Sequence, residues 1–133
     1  MTPLPLAKPR PKLLDKREQR AALAATDRIE RASCRKRSGG RCEVMEYVGP
    51  AGWRATVAFV LGVNFRRCPR RASENHHLIG GIGRKNKGRS ILAAHRLDVC
   101  DRCHEEITGH VLRAVGTPVE REAADTVRYE RVR

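Results

Sequence analysis

Aromatic side chains are scarce in this chain, with one Trp, two Tyr and two Phe making 4% of 133 residues. Their scarcity excludes a broad stacking platform for bases, and with it a dedicated single-strand nucleic-acid binder. It also leaves little bulk for a core. With 32% charged residues, apolar burial alone would leave so small a domain marginal, and such domains are usually stapled, here by a structural metal. Long hydrophobic runs are missing too. The longest, residues 55–63 (Ala-Thr-Val-Ala-Phe-Val-Leu-Gly-Val), is about half of the roughly 20 residues a membrane-spanning helix needs, and it reads as a buried strand. The first twelve positions alternate Pro with basic residues and hold no continuous apolar segment, so secretion is not expected. The expected setting is cytoplasmic, with no membrane partner. Acidic residues are in short supply as well. Fifteen Asp and Glu against 28 Lys and Arg give a net charge of +13 and a pI near 10.6, which suits a polyanion such as nucleic acid and competes with the plainer reading of a solvated basic surface.

The chain divides by composition. Residues 1–13, with four of the seven prolines, form a basic, extended arm. Residues 14–37 are rich in Ala, Arg, Glu and Leu, lack Gly and Pro, and run into Ser38-Gly39-Gly40, which predicts one long helix. Its apolar content is mostly alanine. Residues 1–41 carry twelve basic and four acidic side chains, so the helix either packs shallowly on the domain or lies along something acidic. Residues 43–67 read as a β-hairpin, with β-prone arms at 43–48 and 53–65 around the turn 49–52. The main domain spans residues 38–117, and residues 118–133 form a tail of mixed charge with no evident chemistry. No internal repeat is visible.

Five cysteines remain: Cys34, Cys42, Cys68, Cys100 and Cys103. In a reducing compartment they read as thiolate ligands before disulfides. Cys100 and Cys103 have the two-residue gap that lets two thiolates reach one tetrahedral zinc ion at about 2.3 Å each. A single such pair is ambiguous between metal and redox use, and a second pair, Cys42 with Cys68, joins it if the hairpin between them closes. Two alternatives stay open: Cys34 replaces Cys42 as fourth ligand, or His104 ligates zinc and leaves Cys42 free.

Upstream of that knuckle stands Glu74-Asn75-His76-His77-Leu78-Ile79, and His95 and His104 lie before and directly after it. A strand at 75–79, a loop, a strand before Cys100 carrying residues 93–97, and a helix from Cys103 to about Val115 give a β-β-α order. Cys68 precedes His76 by eight residues, and His95 precedes Cys100 by five. In these features the segment 68–104 resembles the HNH endonucleases of the treble-clef, ββα-metal class, in particular the small zinc-stapled enzymes common in phages and their bacterial hosts. It departs from them in two ways: His95 stands where the family has Asn, and the first knuckle is split by the inserted hairpin.

The resemblance implies an α+β fold, a small zinc-stabilised treble-clef ββα-metal domain with an N-terminal basic helix and an inserted β-hairpin. It implies DNA phosphodiester hydrolysis, by nicking or cutting, that leaves 5′-phosphate and 3′-hydroxyl ends. His77 matches the general base, and an ordinary His pKa near 6.5 suits that task. His76 and His104 match the ligands of one catalytic divalent ion, with Mg or Mn usual in the family and Ni or Zn compatible with imidazole. His95 matches the residue that braces the loop and orients the base, and contact with the metal is the alternative role left open for it. Cys42, Cys68, Cys100 and Cys103 are the implied structural zinc ligands. His110, six residues past His104, falls on another helical face and is expected to be solvated. Arg66, Arg67, Arg70 and Arg71 around Cys68, with Arg84, Lys85, Lys87 and Arg89 in the glycine-rich loop 80–90, are candidates for phosphate contacts that position DNA without reading its sequence. A competing class uses the same surface without catalysis: a zinc module that binds nucleic acid or a phage packaging or recombination partner.

Overall fold

The computed structural model describes Pro3 and residues 15–50, 54–79 and 87–132. The arm at residues 1–13 lies outside that range apart from Pro3, and Arg84 and Lys85 and the side chain of Lys87 lie outside it altogether. A helix, α1 (Lys16–Ser38), opens the described chain. The Asp15 side chain accepts the Glu18 N–H at 2.8 Å and so satisfies one of the helix's orphan donors. At the other end Arg35, Lys36 and Arg37 face the negative end of the dipole, and Gly39 takes the left-handed conformation at φ 66° that terminates the helix.

Two short strands follow, β1 (Met45–Tyr47) and β2 (Phe65–Arg67), paired antiparallel with Glu46 opposite Arg66. The hairpin is therefore present, but its second arm is mostly not a strand. Residues 55–61 form a helix, α2 (Ala55–Leu61), stopped by Gly62 at φ 68°. Ala55 and Ala58 are buried and Phe59 half-buried, a spacing of three and four that belongs to a helix. The sequence hides this period because every position but Thr56 is apolar, so no stripe stands out.

The centre contains β3 (Glu74–His77), the short helix α3 (Lys87–Ser90), a 3-10 turn at Ala93–His95, β4 (Arg96–Val99) and α4 (Asp101–Thr108). β3 and β4 pair antiparallel as a separate two-stranded sheet, with Asn75 opposite Asp98, His76 opposite Leu97 and His77 opposite Arg96. α4 ends seven residues short of the expected Val115, at Gly109, and His110 turns the chain at φ 59° into β5 (Leu112–Val115).

Residues 118–133, expected to be a tail, hold α5 (Pro118–Arg121) and β6 (Arg128–Arg131). β6 lies between β1 and β5 in a four-stranded sheet ordered β2-β1-β6-β5. Its signal is a period of two: Val127 and Tyr129 are buried while Arg128 and Glu130 point away. The many charges of this segment are the solvent half of that alternation. The core that results is small, and cysteines form part of it: Cys42, Cys100 and Cys103 pack with Val44, Leu97, Val99, Leu112, Val127 and Tyr129. The protein is thus a mixed α+β fold. No helix among the described residues is long and apolar enough to cross a membrane.

Candidate metal centre and histidine face

Cys42 and Cys68 are 26 positions apart in sequence, and the β1–β2 hairpin joins them. The Cys68 N–H donates to the Val44 carbonyl and the Cys42 N–H to the Arg70 carbonyl, both at 2.9 Å. Arg67 clamps the same corner, its guanidinium donating to the carbonyls of Cys42 at 2.9 Å, Ser38 at 2.9 Å and Arg41 at 3.1 Å. This role replaces the phosphate contact expected of Arg67. On the opposite side Cys100 caps α4, its sulfur accepting the Cys103 N–H at 3.3 Å, so the two-residue gap becomes the helix's first turn.

The sulfurs of Cys42, Cys68, Cys100 and Cys103 all lie within 4.8 Å of one another, and those of Cys68 and Cys100 are 4.0 Å apart. Tetrahedral zinc with bonds of about 2.3 Å holds its sulfurs about 3.8 Å apart, so the four residues fit a metal ion such as zinc. Their protons are already unevenly shared. A hydrogen bond from Cys103, helped by the backbone at Val44 and Cys100, draws Cys42 down to about 5. The same bond pushes Cys103 far up, and burial raises Cys68. Cys34 is not among them. It is fully buried against Glu43, Asn75 and the Arg96 carbonyl, and burial raises its pKa.

The four histidines of the predicted site divide between the two faces of the β3–β4 hairpin. Toward α4, the rings of His76 and His104 meet edge to face with centroids 5.3 Å apart. Two imidazoles sharing one ion at about 2.1 Å would stand at about this separation. Glu74, on the same face of β3 by its two-residue spacing, accepts a hydrogen bond from His104 Nδ1, which leaves Nε2 as the free lone pair. A carboxylate behind a histidine in this way orients metal-ligating imidazoles. Glu74 was missed from sequence, and its signal was this spacing. His76 has no hydrogen-bond partner among the described residues, and burial, with His104 and His77 nearby, lowers its pKa to about 4 and keeps it neutral. It opens on a cleft of about 590 Å³ that His110 also lines; His110 itself is exposed, as expected.

Toward α1, His77 Nδ1 lies 2.6 Å from the Ser90 carbonyl. A carbonyl only accepts, so Nδ1 carries the proton and Nε2 the lone pair. Arg96 Nη2 stands 3.4 Å from that Nε2 and 2.6 Å from Asp27 Oδ1 of α1. His95 Nδ1 contacts the Glu122 carbonyl at 2.7 Å, and its own carbonyl accepts the Leu78 N–H at 2.8 Å. It therefore ties the segment before β4 to β3 and to the C-terminal region. Beneath α1 runs a buried polar network that sequence reasoning did not find. Asp98 accepts from Ser38 Oγ at 2.6 Å, Arg35 Nε at 2.9 Å and Asn75 Nδ2 at 3.2 Å. Glu43 accepts from the Asp98 N–H at 2.9 Å and from Arg37 at 2.7 Å.

Among the described residues, the four cysteines are the one group of three or more candidate ligands close enough to share an ion; His76 and His104 form a pair. Arg66, Arg70, Arg71 and Arg89 are exposed, and Arg89 approaches Glu122 at 3.9 Å. No protein-family model matches the chain, and neither does any curated protein or solved structure.

Proposed function

We propose that this protein is a metal-dependent DNA endonuclease of the HNH type, built on a zinc-stapled treble clef. The observation that carries the reading is the arrangement of His76, His104 and Glu74: two imidazoles face each other from β3 and α4 beside the cysteine cluster, with the ligating nitrogen of His104 set by a carboxylate. The cysteines would hold structural zinc, and His76 with His104 would hold the catalytic ion. A divalent ion bound there supplies Lewis-acid stabilisation of charge on the phosphate and the departing 3′ oxygen.

The chain's own residues account for the proton. His77 Nε2 accepts a proton from water as the water oxygen bonds to phosphorus and the bond from phosphorus to the 3′ oxygen breaks. The 3′ oxygen takes its proton from solvent, leaving 5′-phosphate and 3′-hydroxyl ends. The Ser90 carbonyl holds the Nδ1 proton and so keeps Nε2 the basic nitrogen, which exchanges its long 3.4 Å contact from Arg96 for the attacking water. His95 braces the strand that carries His77. Exposed Arg66, Arg70, Arg71 and Arg89 position the phosphate chain.

A second reading is a non-catalytic zinc module that binds nucleic acid. It is favoured by the placement of His76 and His77 on opposite faces of β3, and by the absence of a third ligand beside His76 and His104 among the described residues. Supercoiled plasmid incubated with purified protein and Mg or Mn separates the two. Nicking by wild type that is lost with chelator and in His77→Ala supports the nuclease. Intact plasmid across several divalent ions and DNA forms leaves the binding module.

A further inference from the structure

α1 carries an arginine stripe that its own acids do not neutralise. At 100° per residue, Arg17, Arg20, Arg28, Arg31 and Arg35 fall within an arc of about 80°, and all five are exposed. Two of the three acids on α1 turn toward the protein, while Glu18 stays exposed in the first turn. Asp27 pairs with the fully buried Arg96 at 2.6 Å, and Glu30 accepts the Ala93 N–H at 2.9 Å. Arg17, Arg20 and Arg28 have no ion-pair partner among the described residues, whereas Arg31 makes only an exposed contact of 3.4 Å to Asp27. The segregation is a tertiary fact, because the helix's sequence mixes both signs.

The stripe also has a defined position. A continuous run of contacts leads from it to the predicted general base: Arg31 to Asp27 at 3.4 Å, Asp27 to Arg96 at 2.6 Å, Arg96 to His77 Nε2 at 3.4 Å. At its other end Arg35, already paired with buried Asp98 at 2.9 Å, reaches the Ala72 carbonyl just before β3, at 3.3 Å, and anchors the stripe to the protein. From Arg17 to Arg35 the helix rises about 27 Å, which matches about eight base-pair steps of duplex DNA.

We infer that this face of α1 is a phosphate rail for duplex DNA, which seats one backbone along the helix and leads it past His77. Guanidinium groups suit that role because they bind phosphate in a planar fork. Delivery of the backbone to His77 for cutting rests on the nuclease reading; binding to the rail does not.

The test removes equal charge from two places. Arg20→Gln with Arg28→Gln alters the stripe, and Arg54→Gln with Arg113→Gln alters exposed arginines elsewhere. Binding of a labelled DNA duplex is followed across potassium chloride concentrations, with zinc content and circular dichroism confirming the fold of each variant. The stripe variant is expected to lose about tenfold in affinity at moderate salt and to flatten the plot of log affinity against log salt by about 2, near 0.9 per lost phosphate contact. The control pair should leave the slope close to wild type, and Arg20→Lys with Arg28→Lys should restore it. Equal effects from both pairs, an unchanged stripe variant, or no duplex binding by wild type overturns the rail. Plasmid nicking is scored in parallel. Wild type that binds through the stripe but never nicks removes the nuclease and keeps the rail, whereas nicking with a stripe variant that binds as wild type removes the rail and keeps the nuclease.

Discussion

The two faces of the β3–β4 hairpin are built from adjacent residues and differ in how their polar atoms are satisfied. Toward α1, Asn75 and Asp98 enter a network in which Ser38, Arg35, Arg37 and Glu43 pair nearly every donor and acceptor; Asn75 Oδ1 and Arg96 Nε are the buried atoms left over. Toward α4, among the described residues, His76 has no such partner and His104 keeps one nitrogen without one. Buried polar groups that are fully paired specify a fold, while ligands left open near a surface are available to something from outside. The first face holds α1 in place, and the second leaves imidazole nitrogens able to ligate an ion. His77 sits on the first face by register, with its Nε2 toward Arg96 at 3.4 Å.

The comparison is most severely tested by the centre both faces share. Cys100→Ser should abolish zinc binding and cooperative folding together, since structural zinc contributes about 10–16 kcal/mol in small zinc domains and a domain's whole stability is about 5–15 kcal/mol. Mass spectrometry and thermal melts read both, and Cys34→Ser should keep its zinc. A folded, metal-free Cys100→Ser protein would show that the core stands without its staple.

His77→Ala should lower plasmid nicking by about 10²–10⁴-fold, the usual contribution of a general base, with its zinc retained. Asp98→Ala should do the reverse. It removes the common acceptor of three donors and should cost about 3 kcal/mol of stability, the scale of breaking a buried ion pair, read by urea unfolding of the zinc-loaded protein. If Asp98→Ala melts like wild type, the α1 face is not the one that holds the fold.

Glu74→Gln should weaken the affinity of the proposed His76–His104 site for Mn by about 10–100-fold, as loss of an orienting carboxylate does, and leave zinc binding at the four cysteines unchanged. Titration calorimetry would read it; unchanged Mn affinity would mean that Glu74 only decorates the surface. The smallest effect belongs to Asp27→Asn, about 1–2 kcal/mol, because Asn still offers an oxygen to Arg96. The Arg96 hydrogen bond lowers the Asp27 pKa below its ordinary 3.8. Its stabilisation is therefore complete above the unfolded value and lost only as pH falls through the lower, folded one. The stability gap between wild type and Asp27→Asn should accordingly stay constant from pH 8 to pH 5, and a gap that closes over that range would show that another group sets it.

Local signals were legible where chemistry and boundary coincide. Ser38-Gly39-Gly40 marks the end of α1, while α4 starts at Asp101, two residues ahead of the expected Cys103, because the Cys100–Cys103 gap is its first turn. Signals failed where a pattern was uniform or masked. The apolar run of α2 shows no period, and the strand alternation of β6 was obscured by the charges on its exposed side. Arg67 illustrates a different limit. Its neighbours are basic and exposed, yet its guanidinium is consumed by three backbone carbonyls, a use that no spacing announces.

By itself the sequence determined a small, basic, aromatic-poor chain, and it supplied the four thiols and the histidine run. Ligand type and spacing are local properties, written in order along the chain. Only the tertiary structure decided that Cys42 and Cys68 meet, that Glu74 stands behind His104, and that Asp27 and Glu30 of α1 face inward while Arg17, Arg20 and Arg28 face out. Each depends on which residues from distant segments share a face, and that is set by hairpin register and by packing against a small core.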